Sequence, residues 1–227
     1  MNNKPKIIID TDPGHDDALA IMLLAKSEQV DIQAITTVAG NATLQDVTNN
    51  TRFLVDLLEK NIPIYSGAEK PLIRDQVLAN VHGKGGLAGA DVTKVEPLNG
   101  LAVDKIIEIV RANPHQVSLL VVGPQTNVAL AIQKDPELPS IIKQIVIMGG
   151  AIEATGNKSR VAEFNIFCDP QAADIVFNCS TPKNSCSSRL LQHHSHFYRR
   201  LPKIKRHTTV WNHHAHDGTF YKRHTPI

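Results

Sequence analysis

Cysteine is scarce in this sequence. There are three in 227 residues, an odd and low count that argues against a disulfide scaffold and fits a reducing compartment. No apolar run approaches the roughly 18 residues that a membrane span needs, so no transmembrane helix is expected. Glycine and proline number 13 each, without a period, which excludes collagen-like and fibrous chains. The start, residues 1–6, is polar, and the apolar stretch Ile7–Ile9 that follows is too short for a signal peptide. A cytoplasmic location is therefore expected. What is present is a 42% hydrophobic, 20% charged chain, which excludes wholesale disorder and suffices for one sizeable domain or two small ones.

The net charge of +2 hides an asymmetry. Residues 1–178 carry 15 Lys/Arg against 21 Asp/Glu, whereas residues 179–227 carry 9 against 1, with 8 of the 11 histidines and the only tryptophan. The expected organisation is therefore an α/β domain over 1–178 and a basic, His-rich tail over 179–227. The tail has few aliphatics and no period. It reads either as a basic appendage or as a segment that does not continue the body, as an out-of-frame reading would produce.

The body alternates strands and helices. Strands are predicted at Lys6–Asp10, Asp31–Val38, Ile62–Tyr65, Val117–Val122 and within Ile141–Met148. Helices are predicted from Asp16, over Thr43–Glu59, Leu101–Arg111, Thr126–Gln133 and Pro170–Phe177. The segment Arg74–Asn99 lacks a period, is rich in glycine and reads as a long functional loop. Such alternation implies right-handed crossovers and a Rossmann-like, mostly parallel sheet flanked by helices. Ligands of such sheets sit at the carboxyl ends of the strands. The polar clusters fall there: Asp10–Asp17, Gly40-Asn41, Gly123–Asn127 and Met148–Gly150.

Four aspartates, Asp10, Asp12, Asp16 and Asp17, fall within eight residues. Burying them together is costly unless a cation neutralises them. Oxygen donors suit a hard cation, calcium or magnesium, rather than zinc, although the spacing is not that of an EF-hand. The bland alternative is that Asp16 and Asp17 cap the helix, which leaves Asp10 and Asp12 unaccounted for. Elsewhere, Asn41 equally suits a turn, His82 a surface loop, Met148 plain core, and Glu163 with Asn165 a solvated loop edge. Glu163 and Asn165, two apart on an expected extended segment, would point to one face.

These residues resemble the inosine–uridine-preferring nucleoside hydrolases. The resemblance rests on Asp10-Thr-Asp-Pro-Gly-His-Asp-Asp17 with Ala-Leu-Ala-Ile, on Val38-Ala-Gly-Asn41, and on Val81-His-Gly83 with Gly86-Leu87. It continues through Val122-Gly-Pro-Gln-Thr-Asn127, Ile147-Met-Gly-Gly150, and Ala162-Glu-Phe-Asn165 with Asp169-Pro170. It covers about residues 6–178 and implies the nucleoside hydrolase fold, incomplete at the C-terminus, and cleavage of ribonucleosides of the inosine, uridine and cytidine class to base and ribose. It implies calcium as cofactor, held by Asp12, Asp17 and the backbone carbonyl of Thr126, with Asp12 as general base. It further implies that Asp16, Asn41, Glu163 and Asn165 hold the ribose hydroxyls, with Asn157 near the 5′-hydroxyl, Met148 under the ring and His82 on the base side. The partner is then a small nucleoside, not nucleic acid or membrane, and family members are homodimers or homotetramers.

Two departures stand out. Gln125 occupies a position where the family usually has an apolar residue. The family also continues past the Asp169-Pro170 region to a His-Asp pair that supplies a leaving-group histidine and a further calcium ligand. That region is absent or replaced here, so this chain is expected to be weakened in activity or fold. His216-Asp217 does not stand in for the pair, being too close to Asn165 and set in the tail. The tail's histidines (His193, His194, His196, His213, His214 and His216) and its basic residues carry no fold signature of a metal or nucleic-acid site.

Two other functions are open on sequence grounds. Ile7-Ile-Ile-Asp-Thr-Asp12 resembles the nucleophile strand of haloacid-dehalogenase-like phosphohydrolases, but Pro13-Gly14 departs from it and the later Lys and acidic motifs are missing. A ribose-binding remnant without catalysis is the other.

Overall fold

The computed structural model describes residues 4–79, 81–92, 102–152 and 154–186. The expectations for the tail beyond 186, including its histidines and His216-Asp217, lie outside these residues. Among the described residues there are six strands, all parallel. β1 (Lys6–Thr11), β2 (Asp31–Thr37), β3 (Ile64–Ser66), β4 (Val117–Val121), β5 (Gln144–Met148) and β6 (Lys183–Cys186) stand in the order β3-β2-β1-β4-β5-β6. The chain winds outward from β1 in both directions, so the switch point falls between β1 and β4, where a ligand crevice opens.

β1 shows why this sheet forms. Its Ile-Ile-Ile run is buried on both faces, as a central parallel strand requires. Ile8 joins one core with Leu119, Val121, Ile145 and Ile147 of the sheet and with residues of the helices α3 (Ala102–Ala112), α4 (Thr126–Lys134), α5 (Leu138–Ile141) and α7 (Pro170–Asn178). Ile7 and Ile9 join the other core with Ile35 and with α1 (His15–Lys26) and α2 (Leu44–Leu57). The alternation is the strand period of two. Burying such side chains stabilises the fold by roughly 1.5–3 kcal/mol each.

The predicted elements are present with small shifts of their ends. Thr43 caps α2, its Oγ1 accepting the Asp46 N–H at 3.2 Å. In α1 only one face packs: Ala18, Ile21 and Ala25 are buried, while Leu19 and Leu23 are exposed.

Two features differ from the sequence expectation. Glu163 and Asn165 do not share an extended segment. Glu163 is the N-cap of the short helix α6 (Phe164–Cys168), and Asn165 lies in its first turn. The N-cap carboxylate accepts the Asn165 and Ile166 N–H groups, and this local bonding outweighs the period-two reading. The sheet also continues past Asn178. β6 pairs with β5, and Thr181 Oγ1 donates to the Pro139 carbonyl at 2.7 Å. Main-chain pairing against a buried strand needs no aliphatic run, so composition gave no sign of it. Among the described residues no helix is long and apolar enough to cross a membrane.

Candidate active site

A cavity of about 190 Å³ opens at the carboxyl ends of the strands. Asp16, Asp17, Asn41, His82, Met148, Asn157, Glu163 and Asn165 line it, together with Ala79, Val81, Val122, Lys158 and Phe164. All the predicted site residues therefore converge on one place except Asp12 and Thr126, which are buried behind the wall.

Asp12 follows the end of β1 and is fully buried. Its Oδ2 accepts the Asn41 main-chain N–H at 2.7 Å. The Asn41 side-chain amide donates to the Asp12 carbonyl at 3.0 Å and to Asp17 Oδ2 at 3.3 Å. Asp17 Oδ2 also accepts the Gly14 N–H at 3.2 Å, so the capping role considered from sequence holds for Asp17 alongside its place in the cavity. Burial, and then the charge of Asp17, push the Asp12 carboxyl well above the usual carboxylate range. Burial, and then Asp16, push Asp17 up to about 7. Asp12 Oδ1 is buried without a hydrogen-bond partner among the described residues.

The backbone makes room for this carboxylate. A Cβ on Gly40 would stand 2.2 Å from Asp12 Oδ2, and one on Gly123 would stand 2.7 Å from Oδ1. Only glycine lets the β2 and β4 exit loops close on both oxygens.

An adjacent network anchors the floor. Asp10 Oδ1 accepts from Thr36 Oγ1 at 2.5 Å and from Asn127 Nδ2 at 2.7 Å. Asn127 also donates to the Thr37 carbonyl at 3.0 Å and accepts the Ala68 N–H at 2.8 Å. One buried amide thus ties the exits of β1, β2 and β3 to α4. Burial pushes Asp10 up to about 6. Thr126 is held by Asp169: its Oγ1 donates to Asp169 Oδ2 at 2.8 Å, beside the Leu72 N–H at 2.9 Å.

On the far wall, Glu163 accepts the Gly150 N–H at 3.1 Å, and burial raises its pKa. Asn165 Nδ2 donates to the carbonyls of Val122 at 2.8 Å and Met148 at 3.1 Å. Asn157 accepts the Phe164 N–H at 2.8 Å. Sequence reasoning did not single out Asn127, Asp169, Lys158 or Phe164 as site residues; Asn127, Asp169 and Phe164 sit inside quoted motifs, and Lys158 gives no signal. Gln125 is wholly buried; its Nε2 donates to the Gly123 carbonyl at 3.3 Å, and its Oε1 has no partner among the described residues.

The donor set fits a hard cation. Two carboxylates linked by one amide, one of them with an orphaned buried oxygen, hold charge that a cation would neutralise. Among the described residues no group of three or more His, Cys, Asp or Glu side chains is arranged to hold a metal ion. Calcium also takes carbonyl oxygens, so two carboxylates are a workable start.

Known proteins resemble this chain in sequence and fold. A family model described as inosine–uridine-preferring nucleoside hydrolase matches residues 7–225. Pyrimidine-specific ribonucleoside hydrolases RihA of Salmonella arizonae and Escherichia coli are each 46% identical over 180 residues, 78% of this chain and 58% of theirs. Among solved structures, a plant nucleoside hydrolase superposes with a TM-score of 0.77 at 34% identity, over 82% of this chain and 60% of its own. A purine-preferring ribonucleoside hydrolase from Gardnerella vaginalis gives 0.77 at 33%, over 81% and 60%. The chain spans somewhat under two thirds of the length of each of these relatives.

Proposed function

Because the chain belongs to the inosine–uridine-preferring nucleoside hydrolase family, we propose that its site is built to hydrolyse the N-glycosidic bond of ribonucleosides, giving free base and ribose. Pyrimidine nucleosides such as uridine are the favoured class, after the relatives whose names carry that specificity. The observation that carries this reading is Asp12, a buried carboxylate with one orphaned oxygen, joined to Asp17 through Asn41 behind the wall of a cavity lined by polar side chains.

Asp12, Asp17 and the Thr126 carbonyl are the groups that would hold calcium. When bound, such a cation would supply a water of lowered pKa. Asp12 accepts the proton of the attacking water as its oxygen bonds to C1′ of the ribose, and the glycosidic electron pair leaves with the base, which takes up a proton from solvent. Positive charge grows on the sugar in such a reaction, and the carboxylates of Asp12, Asp16, Asp17 and Glu163 offset it. Asp16, Asn41, Glu163 and Asn165 hold the ribose hydroxyls, with Asn157 at the 5′ side, Met148 beneath the ring and His82 toward the base. This grip fixes the reacting geometry before the bond breaks. The same reading carries a cytoplasmic nucleoside-salvage role and a homo-oligomeric state.

The test is release of free uracil or hypoxanthine from uridine or inosine, followed chromatographically with calcium and after chelation. Calcium-dependent release that is lost in D12N is the expected result. Nucleoside binding by calorimetry without any release would leave a ribose-binding remnant. Phosphate release from phosphoesters would instead support the phosphohydrolase reading. Turnover that appears only with a family-length C-terminal segment appended would assign the chemistry to the longer protein.

A further inference from the structure

His82 is the one histidine among the residues lining the cavity, yet it sits on an irregular segment. The glycines around it adopt a left-handed backbone, with φ of 74° at Gly83, 73° at Gly85 and 80° at Gly86, which other residues rarely adopt. Inside the segment the Gly86 N–H reaches the Gly83 carbonyl and the Ala88 N–H the His82 carbonyl, each at 3.1 Å, and Leu87 is buried in the core shared with Ile7 and Ile9. These bonds close the loop on itself, and its place against α1 and α2 is set by contacts to other elements.

Besides Leu87 and the Asp16 carboxylate, whose Oδ1 stands 3.8 Å from His82 Nε2, two side chains outside the cavity grip it. Asn50 is in the interior of α2 and is buried. Asparagine is a poor helix former, and a buried amide is costly unless its protons are used. Its Nδ2 donates to two carbonyls outside its own helix, Gly85 at 2.8 Å and Pro13 at 3.2 Å. One amide thus staples the glycine segment to the turn that leads into α1. The second grip is His15 in the first turn of α1. Its Nε2 donates to the Ala88 carbonyl at 3.0 Å, and its Nδ1 stands 3.3 Å from His82 Nδ1, within reach of one shared proton. Gly14 completes the seat, since a Cβ there would lie 2.7 Å from His82 Nε2.

We infer that Asn50 and His15 are positioning residues for His82: together they fasten segment 82–88 to the start of α1 and the middle of α2 and so fix where the imidazole stands on the cavity wall. Neither residue lines the cavity, so each acts through His82. The consequence for nucleosides rests on the function proposed above; the fastening itself does not.

The experiment compares the full chain with N50L, which keeps the side-chain volume and removes both donors, and with H15A at an exposed site. Hydrogen exchange of the amides at 82–88 is expected to accelerate about tenfold or more in each variant, with the β1 and β4 amides unchanged. Unchanged exchange at 82–88 in H15A, or in a folded N50L, overturns the inference whatever the turnover. With uridine as substrate, each variant is expected to raise KM about five- to tenfold with a smaller change in kcat. In an H82A background the same substitutions are expected to add nothing further. Additive effects in that background would show that the two residues act on the fold at large and would overturn the inference. Faster exchange at 82–88 in a chain that neither binds nor cleaves uridine would sustain the fastening and defeat the functional reading alone.

Discussion

Asn41 holds the carboxylates of Asp12 and Asp17 at once: its main-chain N–H meets Asp12 Oδ2 at 2.7 Å, and its side-chain amide meets Asp17 Oδ2 at 3.3 Å. The side chain also reaches the Asp12 carbonyl at 3.0 Å. The residue that follows Gly40 in an apparent turn is thus the link that sets the spacing of two like charges. Truncation by N41A leaves the main-chain bond and removes the bridge. Losing hydrogen bonds to charged groups costs roughly 1.5–3 kcal/mol, so kcat/KM for uridine is expected to fall about 10- to 100-fold. Calorimetry should show weaker calcium binding in the same variant.

D12N separates chemistry from stability. On the proposed mechanism it removes the proton acceptor and a cation ligand, so base release is expected to fall at least about 10³-fold. In calcium-free buffer the same variant should melt higher than the parent, because a buried carboxylate with an orphaned oxygen becomes neutral. A lower melting temperature without calcium would contradict the account of Asp12 as a strained anion.

The raised carboxylates fix the sign of the pH dependence. Asp17 is pushed up to about 7 and Asp10 to about 6, both chiefly by burial. An unfolded aspartate titrates near 3.9. Between that value and 6–7 the folded chain therefore binds more protons than the unfolded one, and stability falls as pH rises through the window. The calcium-free chain is expected to melt several degrees lower at pH 8 than at pH 5. Calcium should shrink that difference, and its affinity should rise with pH as Asp17 loses its proton.

Close approach of backbone to Asp12 is equally open to test. G40A would place a Cβ 2.2 Å from Asp12 Oδ2, nearer than any atoms can stand. The β2 exit must shift, which overpacking data put at about 1–3 kcal/mol of stability. Because the Asn41 N–H moves with it, turnover should drop by more than the loss of folded protein explains, as circular dichroism and rate on one sample would reveal.

Much of the architecture could be read from the chain. Ile7–Ile9 flanked by polar residues marks a strand buried on both faces, and the spacing of strands and helices selects a parallel sheet with its polar clusters at one rim. Most of the residues that line the cavity are legible because the motifs fall in the family's order at those rims. The misreadings share a cause. The spacing of Glu163 and Asn165 predicts alternating strand positions, whereas the Glu163 carboxylate captures the N–H groups of α6 and starts a helix. β6 lies in a polar stretch, and its place depends on main-chain pairing to β5.

The sequence by itself determined the alternation of buried strands and helices, and the concentration of four aspartates where a strand ends, because periodicity and residue type are local properties. Only the tertiary structure decided which oxygens are orphaned, that Asn41 joins Asp12 to Asp17, that Asn127 ties three strand exits together, and that Asn50 and His15 seat His82. Those are contacts between residues up to more than a hundred positions apart. Their energies arise from burial and from the pairing of polar groups, and neither exists until the chain has folded.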